Sequence, residues 1–203
     1  NVLLYGDKGT GKSSSVKAVL NEYKDKKLKM IEITKEQFYR FPDIINIVKD
    51  RGYKFIIYID DLSFEEFETD YKHFKAVLEG GLEIRPQNVA VYVTSNRRNI
   101  IKETWKDQME ASNDMHISDS MQEKISLADR FGITLTYPSP NKNLYLRMVL
   151  DLAKKEKLDV SEDILSEEAL KWEMRYHGRS GRSARQFIDY MISKQNYNKH
   201  WSE

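Results

Sequence analysis

The chain has 203 residues, 40% hydrophobic and 32% charged, enough for one compact domain with a small appendage to bury a core without disulfide or metal staples. With no cysteine it has no disulfide framework, iron–sulfur cluster or thiol nucleophile, and its four histidines (His73, His116, His177, His200) lack ligand-like spacing, so a zinc site is not expected. Thirty-three Lys and Arg against 32 Asp and Glu leave a net charge of +1, which by itself points to no polyanionic partner, and no apolar run approaches the roughly 20 residues that span a bilayer.

Val2–Tyr5, ended by Gly6, is expected as a buried strand, followed by a Gly-rich loop and a helix over 12–23. Because Asn1 leads straight into that apolar run, the sequence reads as an excerpt of a longer protein. A second strand is expected over Leu28–Ile33, and Thr34 with Gln37 resembles a capping box for a short helix. Ile44, Ile45 and Val48 recur at helical spacing before Gly52. Tyr53–Ile59 is apolar almost throughout, as in a strand of a parallel sheet buried on both faces. Ser63 and Glu66 form a second capping box, for a helix reaching Gly80-Gly81. A fourth strand spans Val89–Val93, a polar excursion 104–119, and a fifth strand Ile133–Tyr137. Ser139-Pro140 reads as an N-cap with proline at the first helical position, and three helical stretches follow over 141–157, 166–176 and 183–194. Strands alternating with helices, then helices alone, predict an α/β core over 1–138 and a small all-helical domain over 139–203.

Gly6-Asp7-Lys8-Gly9-Thr10-Gly11-Lys12-Ser13 matches G-x-x-x-x-G-K-[ST], between a strand and a helix. Glycines let backbone N–H groups wrap a triphosphate without Cβ clashes, and the following helix turns its N-terminus to the same anion. Lys12 is placed to reach the β- and γ-phosphates and the Ser13 hydroxyl to hold Mg²⁺, with Ser14 completing the cradle. The third strand ends in Asp60-Asp61. Downstream of a phosphate loop, Asp60 would hold the Mg²⁺ through water at the sheet's carboxyl edge, and Asp61 would polarise the attacking water. Many P-loop ATPases carry Glu at the second position. Asp61 is one methylene shorter, and misplacement on the order of 1 Å can cost about 100-fold in rate.

Further segments carry a resemblance. One strand separates the phosphate-loop strand from the acidic strand, Thr94-Ser95-Asn96 ends the fourth strand, Ser126–Gly132 precedes the fifth, and Gly178-Arg179-Ser180-Gly181-Arg182-Ser183-Ala184-Arg185 opens the last helix. In that order they resemble the AAA+ ATPases over essentially the whole chain. Asp60-Asp61-Leu62-Ser63-Phe64, Thr94-Ser95-Asn96-Arg97-Arg98, Asp129-Arg130-Phe131-Gly132 and Arg179-Ser180-Gly181-Arg182 together look like one bacterial AAA+ family, called domain of unknown function 815, in which an Asp-Asp pair is the usual form. The resemblance implies a P-loop NTPase fold of the AAA+ type: a five-stranded parallel sheet flanked by helices, then a small helical lid domain. It implies that Asn96 contacts the γ-phosphate or attacking water, that Arg130 reaches a neighbouring subunit's site, and that Arg182 contacts the γ-phosphate from the small domain. Arg185, three residues on, shares the helix face and competes for that last role.

The expected function is therefore a cytoplasmic ATPase using ATP and Mg²⁺ at the interfaces of a ring or open-ring homo-oligomer, hexamer-like, acting on an unidentified macromolecular client and not on a membrane. The alternative is a slowly hydrolysing switch or loader that assembles on ATP. A small-molecule kinase would need no sensor or finger, and a GTPase would carry N-K-x-D, whereas Asn141-Lys142-Asn143-Leu144 lacks the Asp. Phe38-Tyr39 lies where a pore-loop aromatic would fall, but a short amphipathic helix explains it equally. Trp105, Trp172 and Trp201, with Met148 and Leu152, read as packing residues, and Arg97-Arg98 as solvent-facing by default.

Overall fold

The structure, a computed structural model, describes residues 1–64, 74–75, 78, 86–97, 127, 129–176 and 178–200. Glu66 of the second capping box, most of the helix expected after it, Arg98, the polar excursion, Trp105 and Trp201 lie outside the described residues.

The chain divides into two compact units, Asn1–Gly6 with Lys12–Thr136, and Asp7–Gly11 with Tyr137–Glu203. The first is built on β1 (Val2–Gly6), α1 (Lys12–Tyr23), β2 (Leu28–Glu32), α2 (Phe41–Val48), β3 (Lys54–Ile59), β4 (Val89–Ser95) and β5 (Ile133–Tyr137). The strands form one parallel sheet in the order β2-β3-β4-β1-β5, so β4 is inserted between the loop-bearing β1 and the acidic β3. Interior strands meet apolar residues on both faces. Accordingly β3 is buried from Phe55 to Ile59, and its Ile57 and Ile59 stand level with Val91 and Val93 of β4.

Between β2 and α2 lies a six-residue 3-10 helix, Lys35–Arg40, opened by the Thr34–Gln37 capping box. It carries Phe38 into the core, where the ring stacks on Phe74 with centroids 5.1 Å apart and meets Phe64 at 6.2 Å. Phe38 is thus a core residue, while Tyr39 beside it is exposed.

In the second unit, α3 (Lys142–Lys155), α4 (Glu162–Tyr176) and α5 (Gly181–His200) pack around Tyr145, Val149, Leu165, Ala169, Phe187 and Ile188. Met148, Leu152 and Trp172 pack against this cluster. The N-cap of α3 is Asn141, whose side chain accepts from the Leu144 N–H at 2.9 Å, and not Ser139 as the sequence suggested. The Ser139 side chain is engaged elsewhere, and an asparagine two residues on does the same chemistry. Likewise α4 begins a turn earlier than its apolar periodicity indicates, with Glu162 and Asp163 in its first turn, where acids favour the helix dipole.

Candidate functional site

At the carboxyl edge of the sheet, three segments distant in sequence bring their polar groups together. The register that places Ile59 level with Val93 puts the next pair, Asp60 and Thr94, side by side. Strand alternation gives Tyr58 the same face as Asp60. Three hydroxyls then donate to one carboxylate oxygen, Asp60 Oδ1: Thr94 Oγ1 at 2.5 Å, Tyr58 OH at 2.6 Å and Ser13 Oγ at 2.8 Å. Burial pushes the Asp60 pKa up, but the hydrogen bonds from Thr94, Tyr58 and Ser13 outweigh it and hold the group below its ordinary value, as an ionised acceptor. Tyr58 is fully buried, and burial with the adjacent Asp60 charge pushes its phenol up to about 12, so it stays a proton donor.

A second set of contacts joins the loop lysine to Asp61. Lys12, only 7% exposed, donates from Nζ to Gly6 O at 2.7 Å and to Asn96 Oδ1 at 2.9 Å. The amide nitrogen of Asn96 in turn donates to Asp61 Oδ1. Asp61 has a left-handed backbone, φ +51°, which aspartate tolerates better than most residues. Its N–H donates to Thr94 Oγ1 at 2.9 Å, the Leu62 N–H to Thr94 O at 2.8 Å, and Ser95 Oγ to Leu62 O at 2.8 Å. Thr94 thus fixes both acids at once.

In the other unit, the loop segment Asp7–Gly11 is tied to Tyr137 and Ser139 and to the start of α5. Asp7 Oδ2 accepts from the Ser139 N–H at 3.0 Å and from Ser139 Oγ at 2.6 Å, while the Asp7 N–H goes to Tyr137 O at 3.1 Å. The Arg182 N–H donates to Gly9 O at 3.3 Å. Gly9 has φ +76°, and a Cβ there would stand 2.9 Å from Arg182 Cβ and 3.0 Å from Ser180 Oγ, so the position needs glycine for its backbone and for close approach. Thr10 Oγ1 closes the loop on Asp7 O at 2.8 Å, and Lys8 and Ser14 are exposed.

Of the residues singled out in the sequence, Lys12, Ser13, Asp60, Asp61 and Asn96 come together in the first unit, and Gly9 and Arg182 meet in the second. Arg185 is spent elsewhere, on Glu156 at 2.6 Å and Asp189 at 3.0 Å. Asp7 turns its side chain to Ser139. Arg130, half-buried, precedes β5 and so lies toward the amino edge of the sheet, opposite the edge from which Asp60 leaves. Sequence reasoning missed Tyr58 and the hydroxyl of Thr94. The available signals were a tyrosine two residues before Asp60, the one polar side chain in the run Phe55–Ile59, and the threonine heading Thr94-Ser95-Asn96.

Among the described residues no three His, Cys, Asp or Glu side chains cluster as a metal centre. A hydroxyl and a carboxylate 2.8 Å apart beside a phosphate loop instead suit Mg²⁺, a hard cation that takes one or two protein oxygens and completes its shell with phosphates and water. No helix among the described residues is long and apolar enough to cross a membrane.

This sheet order, with the phosphate loop after β1 and the acidic pair after the strand beyond the inserted β4, is the fold of the AAA+ P-loop ATPases. The FIGL-1 AAA domain in complex with ADP is similar over 91% of this chain and 57% of its own, with TM-score 0.58 and 18% identity. The replication initiator DnaA bound to AMPPCP and single-stranded DNA is similar over 94% and 54%, with TM-score 0.59 and 17% identity. A point variant of RuvB from Thermotoga maritima is similar over 94% and 61%, with TM-score 0.53 and 11% identity. The chain therefore spans little more than half the length of these solved chains. The particular family is fixed by its sequence model, described as protein of unknown function (DUF815), which matches residues 1–195; the chain belongs to that family. No curated protein matches the chain.

Proposed function

We propose that the chain binds ATP with Mg²⁺ on the loop Gly6–Ser13 and hydrolyses it, with each site completed by a neighbouring copy. The observation that carries this reading is the meeting of Ser13 with Asp60, 47 residues apart, beside a lysine whose ammonium is linked through Asn96 to Asp61. Lys12 binds the β- and γ-phosphates, exchanging its present oxygens for theirs. Ser13 and Asp60 hold the metal, which when bound neutralises charge on the phosphates. Asp61 accepts the proton of the attacking water, and Asn96 orients that water or the γ-phosphate. Arg182, whose backbone adjoins Gly9, is the better of the two candidates for contacting the γ-phosphate, since Arg185 is already paired with two acids. Arg130 acts in trans. In support, FIGL-1 and DnaA, which share the fold, were solved with ADP and AMPPCP.

A second reading is a switch that assembles on ATP and turns over slowly. It is favoured by the short Asp61 side chain, whose carboxylate is engaged by Asn96 and whose backbone is left-handed. Both readings require adenine nucleotide. In competition against a fluorescent ATP analogue, ATP should bind more tightly than GTP; the reverse order would assign the chain to another class of P-loop protein.

A further inference from the structure

Asp60 is held by two kinds of donor. Ser13 belongs to the nucleotide-binding element, is a metal ligand in the reading above, and is free to leave Asp60 for the ion. Tyr58 and Thr94 belong to the sheet. They are 0% and 1% exposed, and both donate to the same oxygen, Oδ1, at 2.6 and 2.5 Å. Neither donor is reversible. A phenol has one proton, and Tyr58 donates its one hydrogen bond to Asp60. The Thr94 hydroxyl also has one proton, and it goes to Asp60 because the carboxylate 2.5 Å away can only accept, while the Thr94 oxygen accepts from the Asp61 N–H at 2.9 Å. The carboxylate is therefore pinned through Oδ1 from two strands, which fixes its plane.

We propose that Tyr58, with Thr94, is a positioning residue for the metal site: a buried two-hydroxyl clamp that presets the Asp60 carboxylate for Mg²⁺. The inference rests on the nucleotide-site reading above and adds a role for residues outside the loop, the acidic pair and Asn96. Groups that orient a metal ligand from behind typically contribute about 10–100-fold to metal affinity or activity. Tyr58→Phe keeps the ring that fills the core and removes only the donor. Thr94→Val removes the other hydroxyl at nearly constant volume, and Thr94→Ser restores it.

The test is equilibrium binding of a fluorescent ATP analogue, titrated with Mg²⁺ and repeated in EDTA. In Tyr58→Phe and Thr94→Val the Mg²⁺ concentration that half-maximally tightens nucleotide binding should rise about 10-fold, with affinity in EDTA unchanged. Thr94→Ser should behave as the parent. If Tyr58→Phe does not fold, the Thr94 pair carries the same comparison. An unchanged Mg²⁺ dependence, or equal losses with and without the metal, would overturn the clamp while leaving the nucleotide site intact. A parent chain that binds no nucleotide would overturn the reading on which the clamp rests, and the clamp with it.

Discussion

Replacing Arg130 with alanine should lower ATP hydrolysis by about 10³–10⁵-fold while leaving ATP affinity unchanged, the range for an arginine supplied to the transition state from a neighbour. Ile133 donates a hydrogen bond from its N–H to Asn1 O at 3.2 Å, and Asp7 one to Tyr137 O at 3.1 Å, so β5 runs alongside β1 in the same direction. Arg130 enters that strand at its beginning, whereas the loop and the acids leave theirs at the end. An arginine side chain cannot bridge the length of a five-residue strand to its own site. On the proposal that Arg130 serves a neighbouring copy's site, activity per chain should rise steeply with protein concentration, and ATP should promote assembly by linkage. Mixing Arg130→Ala with Lys12→Ala chains should restore part of the activity: the first keeps an intact phosphate loop and the second supplies the arginine. Turnover that is independent of concentration, with no recovery on mixing, would make Arg130 a residue of the subunit surface alone.

Asp61→Asn should reduce hydrolysis by about 10²–10⁴-fold with nucleotide affinity retained, the usual contribution of a general base. The substitution is close to a pure charge change. Asparagine is isosteric and, like aspartate, tolerates the left-handed backbone at φ +51°. Its backbone N–H can still donate to Thr94, and its side-chain oxygen can still accept from Asn96. Single-turnover measurement on the parent chain separates the two functional readings: hydrolysis well above the spontaneous rate marks an ATPase, and tight binding with near-spontaneous turnover marks the switch. If Asp61→Asn hydrolyses as fast as an active parent, the base is another group.

What the sequence disclosed follows the range of the interactions involved. The span of β5, the helix over 12–23 and the 3-10 capping box are set by contiguous residues, and each appears where local pattern puts it. The phosphate loop is legible for the same reason: eight adjacent residues carry its chemistry. The insertion of β4 between β1 and β3 is a choice among distant pairings and has no local signature. The clamp on Asp60 depends on the β3–β4 register, so Tyr58 reads in sequence as one more core aromatic. Ser139-Pro140 misled because its cap-like chemistry serves a partner 132 residues away, the Asp7 carboxylate. Phe38 was ambiguous because amphipathicity does not say which aromatic of a pair turns inward; packing on Phe74 and Phe64 decides it.

The central claim is that the loop Gly6–Ser13 binds the triphosphate through Lys12. Its most direct test is calorimetric titration of ATP into the parent and Lys12→Ala chains, with circular dichroism to establish that both are folded. A charged hydrogen-bond donor contributes about 1.5–3 kcal/mol, or on the order of 10–100-fold in affinity. Lys12→Ala should lose at least that much with secondary structure preserved. Equal ATP affinity in the two folded chains would contradict it.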